Sequence, residues 1–273
     1  MRTRFLAVIL PPALFLAACT HAESPADAIV RLPAPPPDAP AAAGAPASRA
    51  PWVEAVTHES HDAADVEMTY LEVHAASARA SETMSTHLHD WAMANAASIE
   101  GDAKDAEGED VDTSDIPRFS LHVACDPKLL TESLVSIVCD VGSYTGGAHG
   151  NYVVEAFNFA IDGDEVRAIG MDDLFLDPKL GRSAVSDRCV AELRAQDAMW
   201  VTGGTVTDVT DMLDTFHFEK GQIVVHFAPY EVGPFAEGEH VVEVPFEVLR
   251  GVRPAWKNRF AELPSSRDSI EVP

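Results

Sequence analysis

The chain has 273 residues, 47% of them hydrophobic, and a formal charge of −25 at pH 7. That is enough apolar material for one large domain or two small ones with a proper core. The negative field repels nucleic acid and anionic lipid surfaces, favours cationic proteins or metal ions, and keeps an exported protein soluble.

Met1-Arg-Thr-Arg4 is a short positive segment, followed by an apolar stretch from Phe5 to Ala18 that Pro11-Pro12 interrupts. Such a stretch is too short to span a bilayer stably, so residues 1–19 read as a leader. Leu16-Ala17-Ala18-Cys19 resembles the lipobox of bacterial lipoproteins, in which the cysteine is lipidated and becomes the first residue. The resemblance implies several acyl chains on Cys19, and more than one chain is what stable anchoring needs. Thr20 is not the aspartate that retains many such lipoproteins in the inner membrane, which points to the outer membrane, facing the periplasm. Export also permits disulfides. Cys125, Cys139 and Cys189 remain after the leader, so at most one intramolecular pair forms, and the sequence leaves all three pairings open.

Residues 20–51 are rich in alanine and proline and lack apolar periodicity, as in a semi-rigid tether. Residues 52–117 read as an N-terminal module: a strand ending near His74, then a helix capped by Ser77 or Ser81 with Met84, Leu88, Trp91, Asn95 and Ile99 on one face. His87 and His89 fall off that face and are expected in solvent. Glu100 to Asp115 holds eight acidic residues and one lysine, which reads first as a solvated loop, second as a landing site for a basic protein and third as a weak calcium site.

Residues 118–253 read as a second unit. Alternation marks strands from Phe119 to Cys125, Val135 to Tyr144 and Asn151 to Ile161, the last closed by a turn at Asp162-Gly163. A helix is expected from Lys179 to Trp200, stopped by Gly203-Gly204. Phe216 to Phe218 and Ile223 to Phe227 form a hairpin about Lys220-Gly221, Val241 to Val244 a last strand, and residues 254–273 a C-terminal tail. The expected fold is α+β, an antiparallel sheet built of hairpins with two long helices packed on one face.

Tyr144-Thr-Gly-Gly-Ala-His149, the strand through Phe157-Asn158-Phe159, Asp173-Leu174-Phe175, the long helix, Phe227-Ala-Pro-Tyr230-Glu-Val-Gly-Pro-Phe235-Ala-Glu-Gly238 and Val244-Pro-Phe246 occur in this order. That series resembles the RsiV-like domain family, found in lysozyme-sensing anti-sigma factors, in bacterial lipoproteins and beside peptidoglycan deacetylase domains. The resemblance implies an envelope domain that binds a protein or cell-wall component. Nothing here resembles the membrane-spanning or sigma-binding parts of an anti-sigma factor, or a deacetylase metal motif.

Tyr144, Gly146, Gly147, His149 and Tyr230 are the candidate binding residues. His149 lies in a loop whose glycines permit positive φ or close backbone approach, with Tyr230 on a later bend that could lie beside it. It either acts on a ligand or fixes the loop by a hydrogen bond. No nucleophile elbow surrounds Ser143, and no His-x-x-x-His or Cys-x-x-Cys spacing suggests a zinc site, so no catalytic residue, metal ligand or cofactor is assigned. Asp172 and Asp173, adjacent in an extended segment, should point apart, and His217 and His226 should be exposed cross-strand neighbours. The first reading is a lipid-anchored envelope protein that binds a partner, a basic protein such as a lysozyme-type muramidase or a peptidoglycan component. The alternatives are an envelope hydrolase centred on His149 and a structural tethering lipoprotein.

Overall fold

A computed structural model describes residues 50–107 and 118–262. The leader, Cys19, the tether to residue 49 and the later part of the acidic run lie outside the described residues. Among the described residues no helix is long and apolar enough to cross a membrane.

The chain opens with an antiparallel hairpin, β1 (Trp52–Ser60) and β2 (Asp65–His74). Helix α1 (Ala78–Glu107) follows, because Ala80, Met84, Leu88, Ala92, Ala96, Ile99 and Ala103 recur at helical spacing and bury one face. Its cap is Ser77, whose Oγ accepts from the Ala80 N–H at 3.3 Å. Ser81 and Ser85 serve the sheet instead: Ser81 Oγ accepts from the Ala75 N–H at 2.8 Å and Ser85 Oγ from the Val73 N–H at 2.9 Å. The helix runs eight residues past Ile99 into the segment expected as a solvated loop. Burial of Ala103 extends the apolar face, and Glu100 accepts a 2.8 Å hydrogen bond from Ser60 Oγ. His87 is half-buried rather than solvated, packed edge-on against Phe157 and Phe159 at 5.7 and 5.5 Å, and burial lowers its pKa.

β3 (Ser120–Leu130), β4 (Leu134–Tyr144), β5 (Asn151–Asp162) and β6 (Glu165–Ala168) complete a curled six-stranded sheet in sequence order. The fold is mixed α and β, as expected, but the sheet is not built of hairpins alone. Helix α1 carries the chain back across, so β3 enters parallel to β2, with Asp65 opposite Ser120. The sheet is therefore continuous across residue 118, and one core under α1 takes residues from both expected units, among them Met68, Leu88, Val123, Ile137 and Phe159. Cys125 and Cys139, register partners on β3 and β4, form a disulfide, and Cys189 is a buried free thiol.

After β6 the chain builds a second core. Helix α2 (Pro178–Ala195) is capped by Asp177, whose Oδ1 accepts from the Leu180 N–H at 3.1 Å. It ends before Trp200 because Asp197 adopts φ +60°, while the Ala198 N–H reaches Leu193 O and the Asp197 N–H reaches Arg194 O. This is the left-handed helix stop with aspartate in the place glycine usually takes. The short helix α3 (Met199–Thr202) follows, then a three-stranded antiparallel sheet of β7 (Phe216–Glu219), β8 (Gln222–Phe227) and β9 (His240–Pro245). Phe175, Val185, Leu193, Phe216, Phe218, Phe227 and Val244 fill this core. Gly181 is needed there, since a Cβ would stand 2.1 Å from the Phe175 ring. The two long helices consequently serve different sheets. The expected C-terminal tail begins as helix α4 (Pro254–Glu262), whose buried Trp256 stacks on Phe218 at 5.7 Å and donates to Asp173 O.

Strand β7 is an edge of its sheet, and its outward backbone groups meet the larger sheet. The Phe218 N–H donates to Ser136 Oγ at 2.9 Å, and Asn158 Nδ2 donates to Phe216 O at 2.7 Å. Ser136 on β4 and Asn158 on β5 are themselves register partners and are buried. Two side chains thus do for this edge what a neighbouring strand would do.

Candidate functional site

The loop between β4 and β5 is set by its glycines. Gly146 and Gly147 take φ +93° and +96°, and the Tyr144 hydroxyl donates to Gly147 O at 3.0 Å, closing the turn. His149 is thereby presented at the surface, with Nδ1 facing Gly150 O at 2.8 Å.

The second part comes from the bend between β8 and β9. Its backbone is held by the Tyr230 N–H to Gly233 O and the Glu231 N–H to Ala228 O, both 3.1 Å, and Glu231 Oε2 accepts from the Ala228 N–H at 2.7 Å. Burial raises the pKa of Glu231. Tyr230 sits at φ +74°, a region a non-glycine residue occupies only when its surroundings impose it, and its side chain is 53% exposed.

The two loops meet. Tyr230 Oη lies 3.4 Å from His149 Nε2, and the His149 ring stacks on Phe235 with centroids 4.2 Å apart and planes 20° apart. Tyr230 and Phe235 are 5.7 Å apart. Tyr144, Gly146, Gly147, His149 and Tyr230 therefore belong to one surface feature, to which Phe235 is the addition sequence reasoning missed. Its position in the Tyr-x-x-x-x-Phe bend was the available signal. The imidazole nitrogens face a backbone carbonyl and a phenol. A hydrolytic relay would place a carboxylate at one of them.

Asp172 and Asp173 take different partners, but they lie in a 3-10 turn, Met171–Leu174, and not in the extended segment expected. Asp172 accepts from Arg182 Nε at 2.5 Å, whereas Asp173 takes Arg167 at 2.7 Å and the Gly170 N–H at 2.9 Å. Both hold the turn into α2 in place.

A second polar group lies on the side of β7 and β8 away from the aromatic core. His217 and His226 are buried, not exposed, and β7 lies against β3, β4 and β5 of the larger sheet. Glu219, His217, His226 and Glu239 form one hydrogen-bonded row: His217 Nε2 to Glu219 at 3.1 Å, His217 Nδ1 to His226 Nε2 at 2.8 Å, then His226 Nδ1 to Glu239. Burial, with His226 and Lys128 nearby, pushes the His217 pKa down to about 4 against the pull of Glu219. A neutral His217 with its hydrogen on Nε2 donates to Glu219 and accepts from His226 Nε2 at Nδ1. Nearby, the Tyr152 hydroxyl donates to Asp140 at 2.6 Å, and burial is the main cause of its strongly raised pKa.

Residues 172–247 match a family described as "Protein of unknown function (DUF3298)". The DUF3298 match begins at the Asp172 turn and takes in α2, Tyr230, Phe235 and all of β7 to β9, leaving His149 outside. It is compatible with the RsiV-like resemblance over that half of the expected 118–253 unit. Two crystal structures of DUF3298 family proteins are similar to the chain. One, from Bacteroides fragilis NCTC 9343, has 15% identity and a TM-score of 0.49, covering 76% of this chain and 94% of that one. The other, from Pseudomonas aeruginosa PAO1, has 14% identity and a TM-score of 0.45, covering 75% and 94%. No curated protein matches the chain.

Proposed function

We propose that this protein is a lipid-anchored, RsiV-like binding module of the cell envelope, tethered through Cys19 and recognising a basic protein such as a lysozyme-type muramidase. The observation that carries this reading is the ring cluster of exposed His149 and Tyr230 with half-buried Phe235, held by two loops whose backbones are fixed by their own hydrogen bonds. Rigid, partly exposed aromatic groups supply contact area at low entropic cost, and such residues dominate binding energy at protein interfaces. Met199 and Val241, also exposed, belong to elements joined to the same bend. The Trp200 N–H donates to Val232 O at 3.1 Å, and Gln196 Nε2 donates to Val241 O at 2.9 Å. A net charge of −25 steers a cationic partner towards the molecule.

The test is binding of the full chain, in detergent, to hen-type lysozyme at low and moderate salt, beside His149→Ala and Tyr230→Ala variants. The reading expects binding that weakens with salt and is lost in the variants. Absence of binding at both salts refutes the lysozyme form. Co-sedimentation with insoluble peptidoglycan that depends on the same two residues would replace the protein partner by a glycan.

A further inference from the structure

We propose that Glu54, Glu72 and His74 form a binding site for one zinc-class divalent cation on the outer hairpin of the six-stranded sheet. Glu54 and Glu72 are register partners across β1 and β2, and His74 pairs with Trp52 at the next position on the same face. One ligand atom from each of the three lies within 4.8 Å of the others. Carboxylates directly opposite on paired strands repel each other, and a divalent cation between them converts repulsion into coordination.

The imidazole supplies an independent sign. The His74 side chain is 34% exposed, but its Nε2 atom is screened from solvent and has no hydrogen-bond partner among the described residues, and Glu54 Oε2, at 3.8 Å, is too far to be one. A screened nitrogen left without a partner calls for an explanation, and a lone pair free to ligate a cation is one. Trp52 fixes the ring, stacking on it with centroids 3.8 Å apart and planes 14° apart. The two glutamates are exposed and have the rotamer freedom to close onto an ion that the held imidazole positions. One imidazole nitrogen with two carboxylate oxygens suits zinc, leaving a fourth tetrahedral position for water, whereas calcium and magnesium prefer oxygen alone.

The EDTA-stripped full chain is titrated with zinc chloride by calorimetry, with calcium chloride as the second arm. The expected result is one zinc ion bound, weakened by about tenfold or more in His74→Gln and in Glu72→Gln, with no comparable calcium heat. Glu72 is exposed, so that variant reports on the site even if His74→Gln perturbs the hairpin. Zinc binding absent from the wild type, unchanged in both variants, or matched by calcium overturns the proposal.

Discussion

The Ser136 hydroxyl donates to Asn158 Oδ1 at 2.5 Å within the larger sheet, and this pair meets the edge of the smaller one. Through it the acceptor for the Phe218 N–H and the donor for Phe216 O are held in fixed relation. Removing the serine oxygen leaves a buried amide and a buried carbonyl of Asn158 short of a partner. Ser136→Ala should therefore cost about 1–3 kcal/mol. Urea unfolding measures it, and a cycle with Asn158→Ala should show strong coupling, because the two side chains serve one strand edge.

Acid should weaken the fold through His217. Its folded-state pKa, about 4, lies below the ordinary 6.5, so between those values the unfolded chain binds a proton that the folded chain refuses. Stability is therefore full above about pH 6.5 and falls as pH drops towards 4, by on the order of 3 kcal/mol from this residue. Comparing urea midpoints at neutral and mildly acid pH with those of His217→Gln isolates it from the carboxylates. The variant should have the flatter profile.

Tyr230→Gly should separate stability from recognition. Glycine accepts φ +74° without strain, which offsets the lost ring contacts by about 1 kcal/mol. Thermal unfolding should shift little, while partner binding disappears with the ring. A variant that unfolds at much lower temperature would mean that the tyrosine serves the fold.

Cysteine chemistry divides in two. The Cys125–Cys139 bond spans 14 residues, and replacing both cysteines by serine should cost about 3 kcal/mol by chain-entropy reasoning. Cys189, fully buried with its thiol pushed up to about 12 by burial, should resist alkylation in the native protein. Peptide mapping should find Cys189 labelled only after unfolding.

The β-hairpins were legible because alternation and turn residues are local signals. Val135 to Val141 and Ile223 to Phe227 needed no tertiary information, nor did the faces of α1 and α2. What escaped depended on packing between elements. β1 reads as mixed because Glu54, His58 and Glu59 decorate an outer strand, and His217 looks exposed until β7 is set against the larger sheet. The cluster of Glu54, Glu72 and His74 was invisible because its members are neighbours only across the strand register. His149 beside Tyr230 was the one long-range contact anticipated, since both lie in glycine-bearing bends of one motif series.

The parallel pairing of β2 with β3 also bears on the order of assembly. β3, β4 and β5 can find one another through short turns, whereas β2 must wait for a partner on the far side of a 30-residue helix. Contacts that close long loops form late and slowly. A chain delivered amino end first would thus hold the β3-side edge of β2, and the part of α1 that meets β3 and β6, open until residues beyond 118 arrive. That interval is when the N-terminal half would most need a chaperone, and substitutions in β3 should prolong it more than those in β9.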